Sequence, residues 1–488
     1  MERSKSYRKT INILFRVLAF LVLSACKPAA APIPVEDQQP LPAVIVEGST
    51  VPATENTLPD KGIIHPALKC AKAEDVTYSI YIPQSCKSGN KWPFLLLFDP
   101  QGNGRKPLEL YKDLAEKHGI VLMCSNTSKN GNTPVITNRI IYSLFVEINK
   151  QYPADTNRIY CGGFSGGGRV ATMCQATHPE LKGIITIGAA SLPANAKSLR
   201  YIAIAGRQDF NYREVVETGK NLNAKNNDAV LLFHNGIHEW CPVLLFDKAL
   251  LLLDADAMRA GTLTMKTEYL LKEAVEARQD AGAMERSGDI RTAADRLAFA
   301  KICLKDISTD KKLDEEYQKI SSSPLLVKAN KDAVALDQEQ DQMTSLYLQK
   351  VGEPIAKWKD YITKINAELV STKESPRHFM LKRMMSTLSI QVYSSAKQYI
   401  YGTDLSKAAY LSELYLLIDP TNKEAHYFSA ILAARNNNPS KVFDELEQSV
   451  KYGLADREKL MNEKDFQSYH SDEKFNKILR EVELAQSN

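Results

Sequence analysis

The spacing of apolar residues changes once along this chain, and that change limits the architectures available to it. Between about 66 and 254, short apolar runs alternate with amphipathic stretches of helical spacing. Several runs are continuously apolar, which is typical of parallel strands covered on both faces. The runs lie at 77–82, 93–98, 120–124, 159–163, 183–187, 201–205 and 229–234. We therefore predict an α/β fold with a mostly parallel central sheet.

The second half of the chain has the pattern of helices alone. Beyond Gly261, Ala, Leu, Glu, Lys and Gln fill long stretches at helical spacing, and prolines fall where helices should begin or end. Residues 418–452 resemble one tetratricopeptide unit. The helices around 287–289, with Ala293 and Ala294 as small packing residues, resemble a second. We predict an all-α domain here, either tetratricopeptide-like or a plain helical bundle.

The N-terminal residues have the composition of an export signal. Residues 1–26 begin with a basic stretch and continue with an apolar one that is too short to remain across a bilayer. They end in Leu23-Ser24-Ala25-Cys26, which resembles the bacterial lipobox and implies that Cys26 becomes a lipid-modified N-terminus. The alternative is an ordinary buried cysteine. Lys27 is not the aspartate that commonly retains lipoproteins at the inner membrane, so we expect a lipid anchor in the outer membrane of the cell envelope.

Charge and proline content separate the leader from the rest of the chain. The leader carries five of the 62 Lys and Arg and one of the 58 Asp and Glu, which leaves 57 of each sign. A balanced chain gives no reason to expect a nucleic-acid partner. Residues 27–62 contain seven prolines and are predicted to be an extended linker. The predicted segments are the leader at 1–26, the linker at 27–62, an α/β domain at 63–258 and a helical domain at 262–488.

Seven cysteines remain besides Cys26, and their spacing follows no repeat. They therefore signal neither a disulfide framework nor a zinc site. Cys70 and Cys86 could pair outside the cytoplasm, or they could fill core positions as small apolar residues.

The segment at 158–171 carries the most specific chemical motif. A predicted strand runs into Gly163-Phe164-Ser165-Gly166-Gly167 and on into a predicted helix, the setting that a G-x-S-x-G nucleophile turn requires. Glycines are needed there because the serine backbone is strained and the strand and helix pass closely. Neither a P-loop lysine nor clear dinucleotide-binding spacing accompanies them. Ser165 is the candidate nucleophile.

A serine nucleophile needs a base, and the base needs an acid to orient it. The run at 201–205 is followed by Asp209, and the run at 229–234 is followed by His238. This order of nucleophile, acid and base, each after a strand, is the one expected with such a turn. Asp209 alone could be a helix cap, and His238 alone could be a surface histidine. Their joint placement predicts a Ser165–His238–Asp209 triad.

His234 is the rival base, although it falls within a predicted strand. His234 and His238 are four residues apart, as zinc ligands on a helix would be, yet no helix is predicted there and no third ligand is evident. We therefore expect no metal and no organic cofactor.

An oxyanion also needs backbone N–H donors. Gly166, directly after the nucleophile, is the first candidate. The second is expected in the loop after 93–98, which reads Asp99-Pro100-Gln101-Gly102-Asn103-Gly104, where Asn103 or Gln101 would donate.

Taken together, residues 66–255 resemble the α/β-hydrolase superfamily, in particular its poly(3-hydroxybutyrate) depolymerase and feruloyl esterase-like branch and its phospholipase/carboxylesterase branch. The similar parts are the nucleophile turn, the strand at 93–98 with its glycine loop, Asp209 and Gly236-Ile237-His238-Glu239-Trp240. Those families usually have His-Gly in the oxyanion loop where this chain has Gln101-Gly102. Because the oxyanion donor in this loop is a backbone N–H, the change of side chain need not abolish activity. The resemblance implies an α/β-hydrolase fold and a serine esterase.

The predicted function is ester hydrolysis through an acyl-enzyme on Ser165. Only 43 residues separate Ser165 from Asp209, and 28 separate Asp209 from His238, so no inserted lid domain fits between them. An open site suits a soluble ester or a polymer, and the helical domain would position that polymer or a protein partner. Two alternatives stay open, a serine peptidase on the same fold and a non-catalytic lipoprotein scaffold.

Overall fold

The computed structural model describes residues 58–194, 199–225, 227 and 229–487. Within them, eight strands form one sheet in the order β1-β2-β4-β3-β5-β6-β7-β8. In chain order the strands are β1 (Ile64–Cys70), β2 (Ala73–Tyr81), β3 (Trp92–Phe98), β4 (Val121–Ser125), β5 (Ala154–Phe164), β6 (Gly183–Ile187), β7 (Arg200–Gly206) and β8 (Val230–His234).

Most strand pairs of this sheet are parallel. β2 runs antiparallel to both of its neighbours, β1 and β4, and the other adjacent pairs are parallel. The central strand β3 is buried at every position, as expected where helices cover both faces. The prediction of an α/β fold with a mostly parallel sheet is therefore confirmed.

In the described part of the sheet region, five helices cover the sheet, and each face has its own core. The helices are α1 (Arg105–His118), α2 (Pro134–Gln151), α3 (Gly166–Thr177), α4 (Tyr212–Asn223) and α5 (Val243–Arg259). On one face the apolar side chains of α1 and α5 pack on the sheet, and on the other those of α2, α3 and α4 do so. Local sequence defines the helix ends. Thr133 caps the first turn of α2, and Gly119, with φ of 61°, ends α1.

The described chain after α5 is helical, as predicted. Its helices are α6 (Thr267–Arg286), α7 (Ile290–Leu304), α8 (Lys311–Ser321), α9 (Pro324–Gln349), α10 (Ile355–Ser371), α11 (Pro376–Ile400), α12 (Leu405–Ile418), α13 (Lys423–Arg435), α14 (Pro439–Lys451), α15 (Arg457–Asn462) and α16 (Glu473–Ser487), with a 3₁₀ helix at Lys464–Tyr469. Several begin after an Asp, Asn or Ser whose side chain accepts an amide of the first turn.

Helices α6 and α7 pack as a pair, as do α13 and α14, at the two places where repeat units were predicted. Their identity as tetratricopeptide units stays a prediction. One apolar cluster runs without interruption from α5 into α6 and α7, through Leu253, Leu270 and Leu297. Helices α6, α7 and α8 therefore share a core with the sheet region, and the predicted boundary at 258–262 stays a prediction.

The predicted leader at 1–26, its Cys26 and most of the linker at 27–62 lie outside the described residues. Among the helices that are described, none has the length and apolar content needed to cross a membrane. The seven cysteines of the described part are free and buried, including Cys70 and Cys86. Burial raises the pKa of Cys70 to about 12 and that of Cys86 to about 11, so both behave as core thiols.

Candidate active site

Ser165 occupies a strained turn between the end of β5 and the start of α3. Its backbone has φ of 52° and ψ of −121°, a conformation rarely adopted by residues other than glycine. The turn is fixed to the sheet because the Ser165 N–H donates to the Ile187 carbonyl at 2.7 Å. A Cβ at Gly167 would overlap the Phe98 carbonyl oxygen, so this close crossing of strand and helix requires glycine.

The structure brings the side chains of Ser165, Asp209 and His238 together. His238 Nε2 lies 2.9 Å from Ser165 Oγ, and His238 Nδ1 lies 2.9 Å from Asp209 Oδ2. The Asp209 side chain is 1% exposed and that of His238 is 21% exposed. A buried carboxylate thus holds Nδ1–H, which leaves Nε2 to accept the serine proton at the edge of the sheet.

Neighbouring groups fix the orientation of this triad. The Asn211 N–H donates to Asp209 Oδ1 at 2.8 Å, which leaves Oδ2 directed at the imidazole. The rings of Phe164 and Phe210 lie 4.7 and 4.3 Å from the His238 ring, so two aromatic groups limit its rotation. Gly188 has φ of 62°, and a Cβ there would lie 2.9 Å from Asp209 Oδ2. The triad is therefore enclosed by aromatic rings and by a glycine that leaves space for the carboxylate.

His234, the rival base, is engaged elsewhere. Its Nδ1 accepts the Gly236 N–H at 3.1 Å, which places its own hydrogen on Nε2. Burial lowers the pKa of His234, so the ring is held in its neutral form. No group of three or more His, Cys, Asp or Glu side chains suited to a metal ion occurs among the described residues. The geometry associates Ser165 with His238 rather than with His234.

The predicted oxyanion donors have different surroundings. Gly166 is the first residue of α3, where the N–H groups of a helix have no partner within the helix. The N–H groups of Gln101 and Asn103 both donate to Asp99 Oδ1, at 2.8 and 3.2 Å. In this conformation neither is a free donor, so the assignment of the second oxyanion donor to Gln101 or Asn103 stays a prediction.

Asp99 is a site residue that the sequence analysis did not single out. Besides the two N–H groups on Oδ1, its Oδ2 accepts the Trp240 Nε1–H at 3.0 Å, and the residue is 4% exposed. Trp240 follows His238 by two positions, so one buried carboxylate ties the loop after β3 to the loop that carries the candidate base. The only local signal is an Asp-Pro pair at the end of a strand, which is typical of any turn.

Asn130 is a second residue that sequence reasoning missed. A Cβ at Gly166 would overlap Asn130 Oδ1, so this amide side chain lies directly against the residue after the nucleophile. The Asn130 N–H donates to the Pro100 carbonyl at 2.8 Å, which joins the loop after β4 to the loop after β3. Asn130-Gly131 reads as a turn in the sequence, with no indication that it borders the site.

Comparison with known proteins gives likenesses in structure only. No family model matches the chain, and no curated protein matches it. Solved structures that are similar include S-formylglutathione hydrolase from Staphylococcus aureus, at 11% identity over 36% of this chain and 92% of that one, with a TM-score of 0.31. Esterase 2 of Thermogutta terrifontis, phosphonylated by sarin, has 13% identity over 43% of this chain and 99% of that one, with a TM-score of 0.33. Est1E of Butyrivibrio proteoclasticus has 13% identity over 38% and 96%, with a TM-score of 0.31.

Proposed function

We propose that this protein is a serine hydrolase that cleaves carboxylic esters through an acyl-enzyme on Ser165. The observation that carries the proposal is the pair of 2.9 Å contacts that link Ser165 Oγ to His238 and His238 to the buried Asp209. A serine hydroxyl becomes a competent nucleophile when a base removes its proton and an acid stabilises the resulting imidazolium. The strained turn at Ser165 adds support, because such strain persists where function maintains it.

The reaction would proceed in two displacement steps. Ser165 Oγ attacks the ester carbonyl carbon while its proton passes to His238 Nε2, and the carbonyl oxygen becomes an oxyanion that the Gly166 N–H stabilises. His238 then returns the proton to the leaving alcohol as the carbon–oxygen bond breaks, which leaves the acyl group on Ser165. Water, deprotonated by the same nitrogen, then attacks the acyl carbon, the bond from that carbon to Ser165 Oγ breaks to release the acid, and His238 returns the proton to Oγ.

The first test is labelling of the purified full-length protein with a fluorophosphonate probe. Wild type should be labelled, and Ser165→Ala and His238→Ala should not be. His234→Gln is the matched control, because it alters the neighbouring histidine and should keep the labelling. Loss of labelling in His234→Gln alone would assign the base to His234, and a folded wild type that is never labelled would favour the scaffold interpretation.

A second measurement distinguishes ester from peptide cleavage. A series of p-nitrophenyl esters and p-nitroanilides with matched acyl groups offers the same acyl chain with two leaving groups. We expect turnover of the esters, with the chain-length dependence showing the size of the acyl site. Preferential turnover of the anilides would assign the protein to the peptidase class on the same triad.

We further propose that Cys26 carries a lipid that anchors the enzyme in the outer membrane of the cell envelope. We also propose that the helical region is tetratricopeptide-like and binds a protein or a polymeric ester substrate. The lipobox-like Leu23-Ser24-Ala25-Cys26 supports the anchor, and the helix pairs α6–α7 and α13–α14 are compatible with repeats. Metabolic labelling with an alkyne fatty acid, with Cys26→Ser as control, tests the anchor. Label retained in Cys26→Ser would contradict it.

A further inference from the structure

The loop that carries Asp209 is held by the helical region as well as by the sheet. This acid loop, residues 206–212, connects β7 to α4 and contains Arg207 two positions before Asp209. The Arg207 N–H donates to the His234 carbonyl at 2.7 Å, which joins the loop to β8. The Arg207 carbonyl instead accepts a hydrogen bond from Arg383 Nη1 of α11 at 2.8 Å. A residue 176 positions away in sequence therefore binds the backbone of the acid loop.

Arg383 is a buried cation whose orientation is fixed by its neighbours. It is 5% exposed, and its Nε–H donates at 2.9 Å to Oε1 of Gln340 on α9, which is also buried. Its Nη2 lies 3.6 Å from Asp337 Oδ1, and its guanidinium lies over the Tyr212 ring at 4.8 Å. The planar guanidinium thus uses different edges for α9 and for the acid loop, which a lysine ammonium could not do in the same geometry.

The contacts of Arg383 lie on both sides of Asp209. Before it, Arg383 binds the carbonyl of Arg207, and after it, Arg383 packs on Tyr212. Between these two points the loop is tight, because the Asp209 N–H donates to the Gly206 carbonyl at 3.0 Å and the Tyr212 N–H donates to the Asp209 carbonyl at 2.9 Å. Movement at either end of so short a turn would be transmitted to the Asp209 carboxylate.

A second helix of the same region reaches the loop independently. Arg207 Nη2 donates to Thr292 Oγ1 of α7 at 2.7 Å, and its guanidinium lies 5.5 Å from the Phe233 ring of β8. Thr292 is fixed in turn, because its hydroxyl donates to Asp289 Oδ2 at 2.6 Å. Helices α7 and α11 therefore both bind the acid loop, and α9 orients Arg383 through Gln340.

We propose that Arg383 is a positioning residue for the catalytic acid, so that the helical region sets the orientation of Asp209 and hence the reactivity of Ser165. This inference rests on the proposed function. It makes the helical region a functional part of the hydrolase site, because two of its helices, α7 and α11, contact the acid loop and a third, α9, orients Arg383.

The test compares two arginines of the same helix. Arg383→Met removes the donors to Arg207 and Gln340 and keeps an apolar side chain over Tyr212. Arg377→Met is the matched control, because Arg377 also joins α11 to α9, through Glu339 at 2.8 Å, and to Glu368 of α10. Both substitutions remove a bridge between helices, and only the first removes a contact with the acid loop.

The readouts are kcat and KM for a short p-nitrophenyl ester across pH, the rate of fluorophosphonate labelling, and Tm. For Arg383→Met we expect kcat to fall about 10- to 100-fold, the loss that a displacement of about 1 Å produces, with KM changed less than about threefold. We expect the acid limb of its pH–rate profile to move to lower pH, because a displaced carboxylate stabilises the imidazolium less. Arg377→Met should lower Tm and leave kcat and the profile as in wild type.

An Arg383→Met protein with wild-type kcat and pH profile would overturn the inference, and labelling of wild type at Ser165 would still support the proposed function. Absence of labelling in wild type would instead overturn the proposed function. Should Arg383→Met not fold, Arg383→Lys and Thr292→Val replace it. Both are expected to lower kcat in the same direction, and wild-type kcat in both would likewise overturn the inference.

Discussion

Replacement of Asp209 by Asn tests the electrostatic part of the proposed mechanism with little change in shape. His238 Nδ1 and Asp209 Oδ2 are 2.9 Å apart. At an effective dielectric constant of about 20, opposite unit charges at that distance attract by about 6 kcal/mol. The attraction exists only when His238 carries a proton, as it does in the transition state, so its loss raises the barrier rather than weakening substrate binding. Since about 1.4 kcal/mol corresponds to a tenfold change, kcat should fall by about 10⁴.

This estimate agrees with the loss expected when an amide replaces the acid of a serine triad, about 10⁴, because the amide also favours the wrong tautomer of the histidine. The assay is steady-state hydrolysis of a short p-nitrophenyl ester, with Tm measured beside it. Glu239→Gln is the matched control, because Glu239 is an exposed carboxylate next to His238 and its replacement should change kcat less than about threefold. A loss below about tenfold in a folded Asp209→Asn protein would refute the assigned role of this acid.

Three further substitutions test the surroundings of the site and the fold. Asp99→Ala leaves the Trp240 Nε1–H and two loop amides without their acceptor, so equilibrium unfolding should show a loss of about 2–4 kcal/mol, with kcat/KM lowered as well. Gly188→Ala places a methyl group against the triad carboxylate, so ester turnover should fall about 100-fold, while the strain at positive φ costs only about 1–2 kcal/mol of stability. Burial alone would lower the pKa of His118, but hydrogen bonds to two carboxylates, including Asp247, raise it. Protonated His118 therefore stabilises the folded state, and this contribution is complete below about pH 6.5 and is lost as pH rises through the raised pKa. Burial alone would raise the pKa of Asp247, but hydrogen bonds lower it to about 2, so the Tm difference between wild type and His118→Gln should be larger near pH 5.5 than near pH 9.

The parts of the fold that follow from local sequence were predictable. β3, β4, β6 and β7 are short and mostly apolar, so the runs in the sequence mark them to within a few residues. β5 is longer, and its first half is largely exposed and has no apolar run, so the sequence marks only its second half. β1 was missed, because it is an edge strand with Pro66 inside it and several exposed positions, and its register with β2 is irregular.

The candidate site was predictable where each member stands directly after a strand. In a parallel sheet the carboxyl ends of the strands meet at one edge, so Ser165, Asp209 and His238 could be expected near one another from the sequence alone. The supporting residues have no such rule. Asp99 and Trp240 are 141 positions apart, and their pairing depends on which side chain turns inward from two separate loops. Neither periodicity nor a short motif encodes that choice.

The relation between the two regions shows what sequence patterns omit. A change from strand-and-helix spacing to helical spacing suggested two domains, yet Leu253 of α5, Leu270 of α6 and Leu297 of α7 belong to one apolar cluster. A change of secondary structure is a local property, whereas a domain is defined by where apolar surface is buried. Helices that follow a sheet can complete its core as readily as they can form a core of their own. Helices α7 and α11 also contact the acid loop that carries Asp209, so the helical region has direct contact with the proposed site, and the domain boundary at 258–262 stays a prediction.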